Sequence, residues 1–335
     1  MFTQRLDGES VFEALANEWD ALAGAGMTDT PFQTLAYQRA WWRHLQPQDG
    51  RLHTIVVRDA DRMLKALACF YLDAQGSVHF NGCIEETDYL DLIARPEEAE
   101  AGWTAVLDCL LSDDYPAWRQ LDLCNVPDAS PTRALLPRLA AARGLSVHAS
   151  VKEVCPVITL PKTFDAYLES LDSKQRREVQ RKLRKAAGAD AAIKFVGPQD
   201  NLETAVDDFL KLLQKSTFEK RDWLTPGRRA VFHAAARAAL EAGALQLMFI
   251  EVDGLRAAAL FNFDYKNRIW VYNSGLDPML FTSLSPGVVL TAKAIEYAIE
   301  NGRDAFDFLR GSESYKYRFG AVDTTIYRLQ VTRQA

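Results

Sequence analysis

The sequence has 335 residues, 48% of them hydrophobic and 25% charged, enough for two domains of about 150 residues that each bury a core. Its formal net charge of −6 argues against a general nucleic-acid binder and no DNA partner is expected, so any basic surface must be local. The five cysteines (Cys69, Cys83, Cys109, Cys124, Cys155) form no C-x-x-C pair and the five histidines show no metal-ligand spacing beside them, which predicts a reduced compartment and no metal.

In chain order, the start "MFTQRLDGESVFEAL" lacks a basic region followed by an apolar core. No apolar run approaches the roughly 18 residues of a membrane span, so the expected location is cytoplasmic. Trp41 and Trp42, beside Arg43 and His44, are either helix-packing aromatics or part of an acceptor pocket. From Arg51 the strands "LHTIVVR", "MLKALACFYL" and "SVHF" form an antiparallel meander. The irregular "TDYLDL" follows, with Asp88, Tyr89 and Asp91 as candidates to receive an amine. Then come a helix over 96–112, a strand "RQLDLCNV", a helix over 130–143 stopped by Gly144, and a strand "LSVHAS".

A strand "VCPVITL", a basic helix over 173–187 and two amphipathic helices near 201–216 and 227–242 precede the second series. That series runs "LQLMFIEV", "LRAAALFNFDY", "RIWVYNS", a helix over 286–301, "AFDFL", a short helix and "TIYRLQV". The order of three strands, helix, strand, helix, strand occurs twice. We expect an α/β (α+β) fold of two similar halves, 1–150 and 151–335, each a mixed, largely antiparallel sheet flanked by helices.

A helix start offers unpaired N–H groups and the positive end of a dipole, a ready anion site where a ligand can approach. In the second half, residues 278–292 ("PMLFTSLSPGVVLTA") carry no charged side chain, Gly287 removes a Cβ, and Pro286 suits a first-turn position. The corresponding first-half loop, "ARPEEAEAGW", sets Glu97, Glu98 and Glu100 where a phosphate would sit. If either half binds a phosphorylated cofactor, it is the second. Taken alone, Ser-Pro-Gly is also a common helix start.

The motifs "SPG" before a long helix, "FDFLRG" on the next strand and "YKYRFG" after it resemble, in order, the C-terminal half of the GNAT-type acyltransferases of the CelD/BcsL group, relatives of the FemABX ligases. "PFQTLAYQRAWWRHL", "DYLDLIARP" and "SKQRREVQRKLRKA" fit more loosely, so the likeness spans most of the chain. The group pairs two GNAT-like halves. The resemblance implies an acyl-CoA co-substrate, acetyl-CoA or longer, with its pyrophosphate at Ser285, Pro286, Gly287 and Val288 and its pantetheine arm along a splayed strand near Asn273. The chain keeps only one glycine of the usual GNAT fingerprint.

Acyl transfer from a thioester to an amine needs positioning and proton transfer, without a metal. Neither a G-x-S-x-G elbow nor a motif-borne cysteine is present, which favours direct transfer. Alternation on "AFDFL" turns Asp307 away from Phe306 and Phe308, making it the first candidate for a base; a strand-end ion pair with Arg310, itself a candidate to bind substrate, is the competing account. Glu313 and Tyr315 follow, Tyr315 as a proton donor to the leaving thiolate or simply an anchor of a short helix. Lys316 is a candidate for cofactor phosphates. Residues 172–188 carry seven cations against two acids, either a solvated helix face or a dock for an anionic surface, which would place the protein at the periphery of the inner membrane. The function expected is N-acyl transfer to an envelope polysaccharide or lipid precursor. FemABX-like transfer from aminoacyl-tRNA and a non-catalytic binding module remain alternatives.

Overall fold

A computed structural model describes residues 1–83 and 87–333. In chain order the elements are β1 (Phe2–Asp7), α1 (Ser10–Ala14), α2 (Trp19–Ala23), α3 (Leu35–Leu45), β2 (Arg51–Arg58), β3 (Leu64–Leu72), β4 (Ser77–Phe80), β5 (Ile93–Ala94), α4 (Ala99–Leu111), β6 (Gln120–Pro127), α5 (Thr132–Ala141) and β7 (Leu145–Thr159). They continue as α6 (Phe164–Ser170), α7 (Ser173–Ala187), β8 (Ala192–Phe195), α8 (Leu202–Ser216), α9 (Phe218–Trp223), α10 (Pro226–Glu241), β9 (Leu245–Val252), β10 (Leu255–Tyr265), β11 (Arg268–Leu276), α11 (Pro286–Glu300), β12 (Ala305–Asp307), α12 (Ser314–Arg318) and β13 (Val322–Arg333). The chain divides into two compact units, the first made of Met1–Glu153 and the segment from Thr324 onward, the second of Val154–Asp323.

In the first unit β2, β3 and β4 form the expected antiparallel meander, and β4 then pairs in parallel with β6. The parallel step needs a crossover, which α4 supplies. Trp103 of α4 is fully buried among Phe70, Phe80 and Leu121, so the apolar face of the helix meets the apolar faces of the strands. Gly102 permits this approach: a Cβ there would lie 2.9 Å from the Cβ of Ala66. The second unit repeats the plan. β9, β10 and β11 are antiparallel, β11 pairs in parallel with β12, and α11 crosses between them over a core of Ile295, Ala292, Val289 and Phe306.

Two expectations change. The strands expected separately at "LSVHAS" and "VCPVITL" are one strand, β7, because "VKE" between them holds no turn residue. Its residues Val157–Thr159 pair antiparallel with β12, whereas the sequence counts "TIYRLQV" as the last strand of the second half. That last strand, β13, instead pairs antiparallel with β6 from Ile326 to Thr332, so these residues belong to the first unit. Backbone pairing satisfies either arrangement equally, and period-2 patterning does not name the partner.

Cys83 and Cys124 lie with their sulfurs in bonding contact and Cα atoms 5.7 Å apart, a pairing that their spacing did not signal. Among the described residues, no helix is long and apolar enough to cross a membrane, and no three His, Cys, Asp or Glu side chains gather as metal ligands.

Candidate functional site

The start of α11 is built by backbone strain. Phe281 and Ser285 take left-handed conformations, with φ of 48° and 53°, and turn the chain sharply into the helix. Val288 and Val289 both donate their N–H to the Ser285 carbonyl, Pro286 has none, and Ser285 contributes no side-chain cap. Among the described residues the N–H of Gly287 has no backbone partner, and its Cα is uncrowded: a Cβ would meet only Leu276 Cδ2, at 3.7 Å. There is no acidic residue in that turn. The basic helix α7 closes one side, Lys185 Nζ donating to the Ser283 carbonyl at 2.9 Å.

Beside it, β11 carries a bulge. The register against β10 shifts so that Asn273 faces Phe261 while Val271 faces Asn262, leaving Tyr272 as the extra residue. Asn273 stands next to that irregularity. Its Oδ1 accepts from the Ser274 N–H at 2.9 Å and from Lys220 Nζ at 3.0 Å; Lys220 also donates to the Ser274 carbonyl at 2.7 Å. Further along, Gly275 is there because α8 crosses directly above: a Cβ would lie 2.5 Å from Leu213 N.

Lys220, on the short helix α9 capped by Thr217, was not singled out from the sequence, where it is one cation among many. Burial pushes its ammonium down to about 8, with Glu313 raising it and Lys316 lowering it further. The structure therefore gathers Asn273, Lys220, Glu313 and Lys316 into one electrostatic neighbourhood. Tyr315 adjoins it. Although the residue as a whole is 37% exposed, desolvation of its hydroxyl, and then the negative charge of Glu313, raise that hydroxyl above the ordinary tyrosine value, so it holds its proton and acts as a hydrogen-bond donor more readily than as an acid. Its ring packs edge-on against Phe308 at 5.9 Å, which also makes it an anchor of α12.

Lys316 does not face a cofactor phosphate. It is 3% exposed, and its Nζ donates to the carbonyls of Arg310 (2.7 Å), Gly311 (3.0 Å) and Leu309 (3.3 Å) and pairs with Glu313 Oε2 at 2.9 Å. A buried ammonium needs such partners, and its effect is to fix the loop between β12 and α12. Gly311 in that loop has φ +106°. Asp307 likewise does not face a cleft: it is fully buried, accepts from Leu309 N at 2.8 Å and pairs with Arg268 at 3.2 Å. Alternation turned it away from the phenylalanines as expected, into a β-sheet environment closed on both faces.

The first-unit candidates are also enclosed. Asp88 and Tyr89 are buried. Asp91 accepts from Thr28 Oγ1 (2.8 Å), Thr132 Oγ1 (2.6 Å) and Ser130 Oγ, and from its neighbour Leu92 N at 2.8 Å. Burial raises its carboxyl while these four donors pull it down, the signature of a structural carboxylate. None of the three lies open to an amine. Trp41 and Trp42 are core aromatics, Trp41 stacking on Tyr71 at 6.0 Å. Two of the three acids of the first-half loop are engaged, Glu98 with Lys65 at 3.1 Å and Glu100 with Arg138 at 2.8 Å. A cavity of about 950 Å³ beside β1 and α4 holds none of the expected residues; of its lining charges Arg5, Asp108 and Asp114, the first two are paired with Asp7 and Arg143.

Residues 173–317 match the family profile described as an Acetyltransferase (GNAT) domain. No curated protein sequence matches the chain. Among solved structures, FemX is similar at 12% identity and a TM-score of 0.68, covering 97% of this chain and 96% of its own. L-PGS from Bacillus licheniformis is similar at 11% identity and a TM-score of 0.56, covering 89% and 91%. A tandem GNAT protein from the clavulanic acid biosynthesis pathway is similar at 14% identity and a TM-score of 0.52, with 98% of each chain covered. At such identities the likeness speaks to fold alone. Residues 173–317 thus match a GNAT acetyltransferase domain, and the chain shares a mixed α/β fold, over nearly its whole length, with a tandem GNAT protein and with FemX.

Proposed function

We propose that the protein is an acyl-CoA-dependent N-acyltransferase whose second unit holds the thioester, with an amine on an envelope polysaccharide or lipid precursor as acceptor. The observation that carries the reading is the start of α11: an uncharged loop, an uncrowded Gly287 whose N–H has no backbone partner among the described residues, and a bulged strand beside it. In this reading the helix dipole and the Gly287 N–H receive the cofactor's phosphates at Ser285–Val288. The amide of Asn273, whose oxygen is already engaged by Lys220, turns its NH₂ toward the pantetheine arm. Tyr315 donates a hydrogen bond to the departing thiolate, Glu313 orients the amine, and Lys220 accepts its proton. Arg310, half-buried in the same loop, contacts the acceptor. Asp307 and Lys316 act indirectly, by fixing the 307–311 backbone.

The test is thermal stabilisation by acetyl-CoA, a long-chain acyl-CoA, free coenzyme A and aminoacyl-tRNA. Ligand at about 100 times its Kd adds about 2.7 kcal/mol, a readily measured shift. Gly287→Glu is expected to abolish the coenzyme A response, whereas Glu98→Gln leaves it intact. No response to any thioester would sink the reading. Aminoacyl-tRNA as donor is the second reading, favoured because a single N–H without a backbone partner at α11 is a sparse cradle for a pyrophosphate. A response to aminoacyl-tRNA without one to acyl-CoA selects it. Saturable acyl-CoA binding without thiol release against any amine would instead mark a non-catalytic module.

A further inference from the structure

The charge run of α7 is not an evenly solvated face. Lys174, Arg177 and Arg181 of α7 meet Arg318, the last residue of α12, around a groove of about 410 Å³ completed by Gln175 and Glu178. Glu178 is committed to its own helix, held to about 2 by a hydrogen bond from Arg181 at 2.9 Å and an ion pair with Lys182 at 3.2 Å. Lys174, Arg177 and Arg318 have no acid or carbonyl partner within the chain among the described residues. Three unpaired cations from two elements therefore converge on one concavity in a protein whose net charge is −6. Like charges held together raise the folding free energy, and their field is focused where the low-dielectric wall is concave.

We propose that this groove binds a phosphate ester or diphosphate carried by the acceptor; the inference rests on the acyl-transfer reading only for what the phosphate is attached to. Two guanidinium forks present paired N–H donors matched to phosphate oxygens, and a lysine adds a point charge. The volume is within the range of a small-ligand site. The groove is separate from the cofactor end of α7. Lys185, which touches the loop before α11, is eight residues beyond Arg177, about 12 Å along the helix. It is instead tied to the acceptor side, because Arg318 stands three residues after Tyr315 and so shares a face of α12 with it. A phosphate seated there would leave the amine of the same molecule directed toward Tyr315 and Glu313.

The experiment measures binding of inorganic pyrophosphate by calorimetry, and of vesicles containing phosphatidic acid by cosedimentation, to the wild-type chain and two double variants. Arg177→Gln/Arg318→Gln removes the groove; Arg176→Gln/Arg184→Gln removes the same charge from α7 outside it. The expected result is at least tenfold weaker binding in the first and less than twofold change in the second. Binding of pyrophosphate assigns a soluble phosphorylated acceptor, and binding of vesicles alone a lipid-borne phosphate; both support the groove. Equal loss in both variants, or no binding of either probe, overturns it. Acetyl-CoA stabilisation measured on the same samples keeps the two readings apart: its absence alone sinks the acyl-CoA reading and leaves the groove standing.

Discussion

Lys220 offers a test of the cluster that does not depend on knowing the substrate. Its folded-state value, about 8, lies below the 10.5 of a lysine in an open chain. Between those values the unfolded chain binds the proton more tightly than the folded one, so stability rises with pH. Below about pH 8 the ammonium is charged in both states and the burial cost is fully present; above 10.5 it is gone. The gap of about 2.5 pH units corresponds to about 3.4 kcal/mol, of which about 2 kcal/mol falls between pH 7 and pH 9.5. Lys220→Met removes the titration. It also removes the bonds to Asn273 Oδ1 and Ser274 O, a loss that does not vary with pH over this range. Urea unfolding of both proteins at pH 7, 8.25 and 9.5 should therefore show the wild type gaining about 2 kcal/mol on the variant as pH rises. Profiles that stay parallel within about 0.5 kcal/mol, the size of an ordinary surface effect, would refute the desolvated, more readily deprotonated lysine and with it the assignment of Lys220 as proton acceptor.

Other outcomes follow from the same geometry. Gly275→Ala forces a Cβ to 2.5 Å from the backbone of α8 and is expected to cost about 3 kcal/mol or more in urea unfolding. Asp91→Ala strands three hydroxyls and should cost about 3 kcal/mol without altering ligand response, while Asp91→Asn costs less. Tyr315→Phe is expected to lower turnover at least tenfold with the thermal midpoint little changed; a wild-type rate would reduce Tyr315 to an anchor of α12. Asp307→Asn is expected to lower stability, by loosening Arg268 and the Leu309 turn, before it lowers the intrinsic rate.

The parts of this molecule legible in the sequence are those set by local rules. Alternating strands with tight turns announced both meanders, and an uncharged Ser-Pro-Gly start announced α11. What escaped depends on partners distant in sequence. Nothing local distinguishes Asp91, which three hydroxyls from residues 28, 130 and 132 enclose, from an acid waiting for an amine. Lys316 and Lys220 are both single lysines on five- and six-residue helices, yet one is consumed by three carbonyls of a loop and the other, desolvated beside a strand bulge, gives up its proton more readily than an open-chain lysine. The sequence reading let Asp307 face a cleft and the structure buries it, because alternation fixes which face a side chain takes and not whether that face is covered.

The pairing of β13 with β6 has a consequence for the order in which the chain can fold. The ribosome delivers residues 154–323 before the strand that completes the first unit's sheet, so β6 must wait with that edge unpaired while roughly half of the protein is made. An unpaired edge is a template for the wrong strand. Loss of residues 324–333 is accordingly a lesion of the first unit, although they are synthesised after the second, and a fragment ending near Glu153 lacks the means to close its own sheet.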